Sequence, residues 1–295
     1  MKGDKQIIGL IDADKNRYPN LALMKISAYH KSIGNKVVWA NIGSYDITYI
    51  SKVFSYTYFR TGLGNYGKII LGGTGFNNFD NLPDEIDNKS PDYSIYPHTN
   101  KAYGFLTRGC PNKCSWCIVP RKEGNIRPYS DIEDFIQDRK EAILMDNNVL
   151  AHNHGLTQIE KIIKLGIKID FNQGLDARII AGNVEIAQLL SRVKWISQLR
   201  MACDTESQIP YIDRALTNLN KYGFKNYKVF VYVLVKDIDS AYKRVEFLRR
   251  KGCDPFAQPY RDYENDKLPS RQQLRFARWV NHKAIFKFVK WENYK

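Results

Sequence analysis

The sequence predicts an α/β protein: a small doubly wound N-terminal domain, then a longer run of alternating strands and helices, then a basic C-terminal helix. Three observations predict it. Apolar runs of strand length alternate with helical spacing over residues 1–76, the alternation resumes from residue 101 with six more strand candidates, and an amphipathic, strongly cationic stretch begins at Lys267.

In the first region "IIGLID" (7–12) suits a buried parallel strand. A helix follows "ADKNRYPN", carrying Leu23, Ile26, His30 and Ile33 on one face and closed by Gly34. "KVVWA" (36–40) reads as a strand, "DITYISKVF" (46–54) as a short helix, and "KIILGGTGF" (68–76) as a strand ending in glycines. Ligands of such sheets lie beyond the carboxyl ends of the strands, where "DADKNRYPN" and "GGTG" fall. Residues 77–100 are polar, acidic and proline-containing, and read as a linker.

Residues 101–266 form the second domain of this reading. Its strand candidates are 103–109, 142–149, 168–175, 198–204, 228–235 and 254–260; helices are expected over 131–140, 156–165, 183–193, 207–222 and 239–251. Six strands with intervening helices suit an open sheet or an incomplete (β/α)6 barrel, whose active site is built at the carboxyl ends of the strands. Polar residues cluster there: Asp146, Asn147, Asn148, Gln173, Asp176 and Asp204. His152 and His154 follow the second strand and are expected to contact substrate rather than a second metal.

The extension 267–295 carries Arg271, Arg275, Arg278 and His282 on one helical face, with Lys283, Lys287, Lys290 and Lys295 beyond. Leu274, Ala277 and Val280 provide a docking face, and Trp279, Phe286, Phe288 and Trp291 interleave with the charge, as in surfaces that stack bases. The formal charge of +14 favours an anionic partner, RNA or DNA being the commonest. No apolar stretch of about 18 residues is present, so no membrane partner is expected. The N-terminus is too short and acidic for a signal peptide, and a cytoplasmic location is expected.

"TRGCPNKCSWCIVP" (107–120) places Cys110, Cys114 and Cys117 within eight residues. Four thiolates would satisfy zinc or an ordinary electron-transfer cluster, but the remaining Cys203 and Cys253 read as small buried residues. Three local thiolates hold three irons of a [4Fe–4S] cluster and leave the fourth open to a chelating molecule.

At these residues the sequence resembles the radical SAM superfamily, whose hallmark CxxxCxΦC is met by Cys110, Cys114, Trp116 and Cys117. The resemblance covers about residues 101–260. It implies an incomplete TIM-like (β/α)6 barrel that binds a [4Fe–4S] cluster and S-adenosylmethionine. It further implies reductive cleavage to a 5′-deoxyadenosyl radical, which abstracts hydrogen from a substrate. An electron-donating partner such as flavodoxin or ferredoxin is implied as well. By the same resemblance Trp116 stands near the adenine, and Asn147 and Asn148 near the methionine amino group. Asp176, Arg178 and Asp204 contact ribose, carboxylate or substrate.

"RGCPNKCSWCIVPRKEGNIRP" is similar to the methylthiotransferases, but no cysteine precedes Cys110 to carry their second cluster. The N-terminal unit is similar to the cobalamin-binding domains of radical SAM methyltransferases. Their Asp-x-His-x-x-Gly signature is absent, which favours a scaffold or partner surface over cobalamin binding. The expected function is therefore a radical SAM enzyme of unassigned reaction, its substrate unidentified, with nucleic acid a candidate. The alternatives are a cobalamin-dependent methyltransferase and a non-catalytic iron–sulfur or zinc protein that binds nucleic acid.

Overall fold

The structure, a computed structural model, describes residues 5–262, 265 and 267–294. The chain is mixed α/β with parallel sheets and divides into two compact units, Met1–Tyr103 and Gly104–Lys295.

The first unit contains β1 (Ile7–Asp12), α1 (Leu21–Ser32), β2 (Lys36–Trp39), β3 (Ile47–Ser51), β4 (Lys68–Gly72) and the single turn α2 (Asp84–Asp87). The strands form one parallel sheet in the order β2-β1-β3-β4. The Asn20 side chain caps α1 by accepting the Leu23 N–H, and Gly34 closes it with φ +91°. Ile8 and Leu10, two apart on β1, turn to one face and pack with Leu23 and Ile26 of α1.

Two expectations are corrected in this unit. Residues 46–54 hold strand β3, not a helix. The run is short, rich in β-branched Ile47, Thr48 and Ile50, and lies buried between β1 and β4, where a strand buries more apolar surface than one helical turn. Residues 77–100 do not simply link: Ile86 enters the core with Ile8 and Leu10, Lys25 pairs with Asp87, and Lys31 pairs with Asp92.

The second unit begins within β5 (Ala102–Gly104). It continues through β6 (Thr107–Arg108), α3 (Val119–Lys122), β7 (Arg127–Pro128), α4 (Glu133–Ile136), β8 (Glu141–Leu144), α5 (Asn153–Leu165) and β9 (Lys168–Phe171). Then come α6 (Ala177–Gly182), α7 (Val184–Ser191), β10 (Lys194–Trp195), β11 (Leu199–Ala202), α8 (Ile209–Lys221), β12 (Val229–Val235), α9 (Ile238–Lys251) and β13 (Asp254–Pro259). α10 (Arg271–Asn281) and α11 (Lys283–Phe288) complete it. The helix expected over 131–140 is one turn, because the chain reverses at Gln137 with φ +49°.

One sheet runs β10-β9-β8-β5 and another β11-β12-β13, and every strand pair from β8–β9 to β12–β13 is parallel. They meet where Leu175, beyond β9, bridges to Met201 of β11. The Arg200 guanidinium ties that seam, forking onto both carboxylate oxygens of Asp170 at 2.7 Å and reaching the Tyr232 hydroxyl at 3.3 Å. Val229, Val231, Val233 and Val235 are fully buried and alternate with half-buried residues along β12, as a sheet covered on one face requires.

α10 packs beside β13 and covers its outer edge. Ala257 of β13 directs its N–H to Asn281 Oδ1 (2.8 Å), and its carbonyl accepts from Asn281 Nδ2 (3.0 Å). The side-chain amide thus makes the two bonds that a further parallel strand would make. Pro255 and Pro259, two residues to either side, have no N–H to offer.

Of the four tail aromatics expected to stack bases, Phe288 is exposed and the others are packed. Trp279 is fully buried with its indole donating to the Val289 carbonyl at 2.9 Å, Phe286 is buried, and Trp291 packs edge-on against Phe276. Leu274, expected in the docking face, is half exposed. Arg275 donates to the Tyr294 carbonyl and lies over the Trp291 ring, Lys283 pairs with Asp254, and His282 caps α11. Lys295 lies outside the described residues. Among the described residues, no helix is long and apolar enough to cross a membrane.

Candidate functional site: the cysteine loop and the strand ends around it

β6 delivers the chain to the cysteine loop through Gly109, at φ +83°. A Cβ there would stand 2.2 Å from the Asn125 carbonyl oxygen, so only glycine fits. The loop is pinched at its base by the antiparallel β6–β7 pair and by the Cys110 N–H donating to the Gly124 carbonyl at 3.2 Å. Arg108 closes it further, with Nε and Nη2 donating to the two Glu123 carboxylate oxygens at 2.7 and 2.8 Å. The same guanidinium lies 4.3 Å from the centre of the Phe105 ring.

Within this closed loop Cys110 and Cys114 are half-buried and Cys117 is exposed. Burial pushes the Cys114 thiol above its ordinary value, and the charges of Cys117 and Cys110 add to the rise while Arg178 opposes it. Burial also raises Cys117, with Cys110 and Asp204 adding to it against the Val119 N–H. N–H groups approach two of the sulfurs: Asn112 N–H and Asn148 Nδ2 lie 3.5 and 3.6 Å from Cys110 Sγ, and Val119 N–H lies 3.5 Å from Cys117 Sγ.

The strand ends bring the other sequence-derived candidates to the same loop. Asn147 Oδ1 accepts the Gly109 N–H at 3.3 Å. Asn148, buried after β8, donates from Nδ2 to Cys110 Sγ and to Asp176 Oδ2 (3.2 Å), and its Oδ1 is buried with no hydrogen-bond partner. Asp176 caps α6 and forks onto Arg178 at 2.9 and 2.7 Å. Burial alone would raise the Asp176 carboxyl, but the Arg178 guanidinium and the Asn112 amide outweigh it and hold it below the usual range. Asp204 follows β11; burial raises its carboxyl against bonds from the Leu234 N–H and the Trp116 indole. Trp116, Asn147, Asn148, Asp176, Arg178 and Asp204 therefore all engage the cysteine loop or one another.

Other candidates lie outside this arrangement. His152 caps α5, accepting the His154 N–H at 3.0 Å, and the His154 ring bonds the Ser130 carbonyl at 3.1 Å. Cys203 and Cys253 are buried, and burial pushes each thiol up to about 12. Among the described residues no group of three or more His, Cys, Asp or Glu side chains is arranged to hold a metal ion.

Sequence reasoning missed three positioning residues, Asn112, whose Nδ2 donates to Asp176 at 3.0 Å, and the Arg108–Glu123 pair, and it placed Asp146 at a strand end without its role. The fully buried Asp146 carboxylate accepts from the Thr107 N–H and hydroxyl and from the Leu106 N–H, fixing β6.

Fold and site define an α/β protein with a three-thiol loop set at the carboxyl ends of parallel strands. No family model matches the chain, and no curated protein matches it. Among solved structures it is similar to Streptococcus suis SuiB bound to S-adenosylmethionine, with 13% identity and a TM-score of 0.46. The match covers 64% of this chain and 48% of that one, so the chain spans about half the length of that protein.

Proposed function

We propose that the second unit is a radical S-adenosylmethionine enzyme, its six strand positions forming an incomplete (β/α)6 barrel with Cys110, Cys114 and Cys117 as ligands of a [4Fe–4S] cluster. The observation that carries the reading is the convergence on the CxxxCxΦC loop of Asn148, whose buried Oδ1 has no partner, with the Asp176–Arg178 fork. When bound, the cluster and S-adenosylmethionine supply a 5′-deoxyadenosyl radical that takes hydrogen from a substrate.

The residues present suit that pair of groups. The Cys114 and Cys117 thiols, raised by desolvation and by neighbouring charge, would become thiolates beside a cation-rich group, and N–H groups directed at sulfur would stabilise that charge. Asn148 Oδ1 would accept from the methionine ammonium. Arg178 is poised for its carboxylate, with Asp176 holding the guanidinium. Asp204 would fix the Trp116 indole beside the adenine. The electron would come from a partner such as flavodoxin or ferredoxin.

The cobalamin-dependent alternative draws no support from the first unit. Asp14, two residues after Asp12, occupies the place of the signature histidine, and its carboxylate accepts from the Val53 N–H, the Phe54 N–H and the Thr57 hydroxyl.

The test is anaerobic reconstitution followed by iron and sulfide analysis, which should approach about four of each per chain. Cys110→Ala, Cys114→Ala and Cys117→Ala should each lose the cluster, whereas Cys203→Ala should retain it. With dithionite and S-adenosylmethionine the intact protein should release 5′-deoxyadenosine. Full iron retention in Cys114→Ala would refute the ligand set. A stable cluster without cleavage would leave the non-catalytic iron–sulfur reading.

A further inference from the structure

Trp279 and Phe286 of the tail are buried and Phe288 alone of its aromatic residues is largely exposed, whereas the first unit presents a group of exposed rings. At the carboxyl end of its sheet, the loop after β3 carries Phe54, Tyr56 and Tyr58 at 39, 72 and 78% exposure. Phe54 and Tyr56 stack on each other, with centroids 5.3 Å apart and planes 23° from parallel. The Arg60 guanidinium lies 5.8 Å from the centre of the Tyr58 ring. Lys52 lies over Phe76, which follows β4. No Asp or Glu occurs between Asp46 and Asp80, while Lys52, Arg60 and Lys68 do.

The loop is built to hold this shape. The three bonds to the Asp14 carboxylate fix its first turn, the Thr57 N–H closes that turn on the Phe54 carbonyl at 3.2 Å, and Thr74 Oγ1 donates to the Val53 carbonyl at 2.7 Å. The backbone beneath the exposed rings is thereby anchored. Adjacent cations with no acid in the segment then select an anionic partner that also offers flat apolar faces. An acidic protein supplies the charge without the faces, and a duplex keeps its faces stacked. A single strand of nucleic acid supplies both.

We propose that the loop after β3, centred on Tyr56, Tyr58 and Arg60, is a docking platform for single-stranded nucleic acid. Bases stack on the two tyrosines, and Arg60 and Lys52 neutralise phosphates. Asp14 is a positioning residue that holds the platform. The inference does not rest on the radical reading, because it concerns residues of the first unit and needs no cluster.

The test is fluorescence anisotropy on the full chain with a labelled mixed-sequence single-stranded RNA, the same sequence as single-stranded DNA, and the corresponding duplex. Both single strands should bind, and the duplex more weakly. Tyr56→Ala and Tyr58→Ala should each weaken single-strand binding roughly 5- to 150-fold, the range for losing one base stack. Tyr58→Phe keeps the ring and should bind like the parent, with thermal melting confirming that the variants fold. Arg60→Ala should reduce the slope of log affinity against log salt by about one. Arg271→Ala with Arg278→Ala, exposed on α10, should leave the tyrosine dependence intact. The proposal is overturned by the absence of single-strand binding at low salt, by equal binding of duplex, or by tyrosine variants that bind like the parent. Loss of binding of an acidic electron donor in the tyrosine variants, with no RNA or DNA bound, would replace it with a protein interface. Cluster content and S-adenosylmethionine cleavage, measured in parallel on the same variants, should not change, so failure of one reading is separable from failure of the other.

Discussion

Asp146 stands at the end of β8 with its carboxylate turned onto the start of β6, where it meets two backbone N–H groups and one hydroxyl. Desolvation pushes its carboxyl up to about 6, and the bonds from Thr107 and Leu106 oppose the rise. Deleting the acceptor leaves buried donors without partners, so Asp146→Ala should destabilise the protein by about 1–3 kcal/mol in denaturant titration. Asp146→Asn keeps one acceptor oxygen and should cost less. Because Asp146 acts on the cysteine loop only through β6, the alanine variant should also reconstitute with less iron while its thiols remain present. Equal iron in variant and parent would restrict Asp146 to a stability role. The cysteine motif was legible in the sequence because its spacing is local. Asn112 and Glu123 were not, and Asp146 was legible as a strand-end residue but not in its role, because these roles depend on partners 15 to 64 positions away, visible only once the strands are paired.

At the scale of elements, α10 is an edge cover. Its capping box, Ser270 with Gln273, fixes where it starts, and Asn281 near its end meets Ala257. Asn281→Leu preserves much of the volume but leaves a strand N–H and a carbonyl without their partner, and should cost about 1–3 kcal/mol. Asn281→Gln, with the amide displaced by one methylene, should recover part of that; chemical denaturation of the three proteins decides it. Most strands of both units were legible from apolar runs, since a buried parallel strand is apolar throughout. β3 was not, because nine residues with mixed polarity fit a short helix and a strand equally until neighbouring strands are placed on both sides. The tail was misjudged for a related reason: period alone puts Trp279 and Phe286 among charges, and only the packing of α10 beside β13 shows that they are buried.

Over the whole molecule, response to pH follows from which groups are buried neutral. His30 of α1 lies between Asn35, whose Nδ2 donates to Nδ1 at 3.0 Å, and the Tyr49 hydroxyl, 3.0 Å from Nε2. An Nδ1 that accepts from an amide cannot also carry a proton, so the ring is neutral with hydrogen on Nε2. Burial lowers its pKa below 6.5. The unfolded chain therefore takes up the proton first, and the stability His30 contributes is full above 6.5 and lost as pH falls through the lower folded value. Urea midpoints measured over this range should fall less steeply for His30→Leu than for the parent; parallel curves would remove His30 from the acid response. The two-unit division was legible as a change of pattern near residue 100, although 77–100 read as a linker because its polarity hid single core contributors such as Ile86. One consequence reaches beyond stability. Since Pro255, Ala257 and Pro259 leave β13 with no N–H to offer outward, no extended peptide can be read there by strand addition. Along this edge a partner, whether a peptide tail or a second copy of the chain, can be recognised only by side chains.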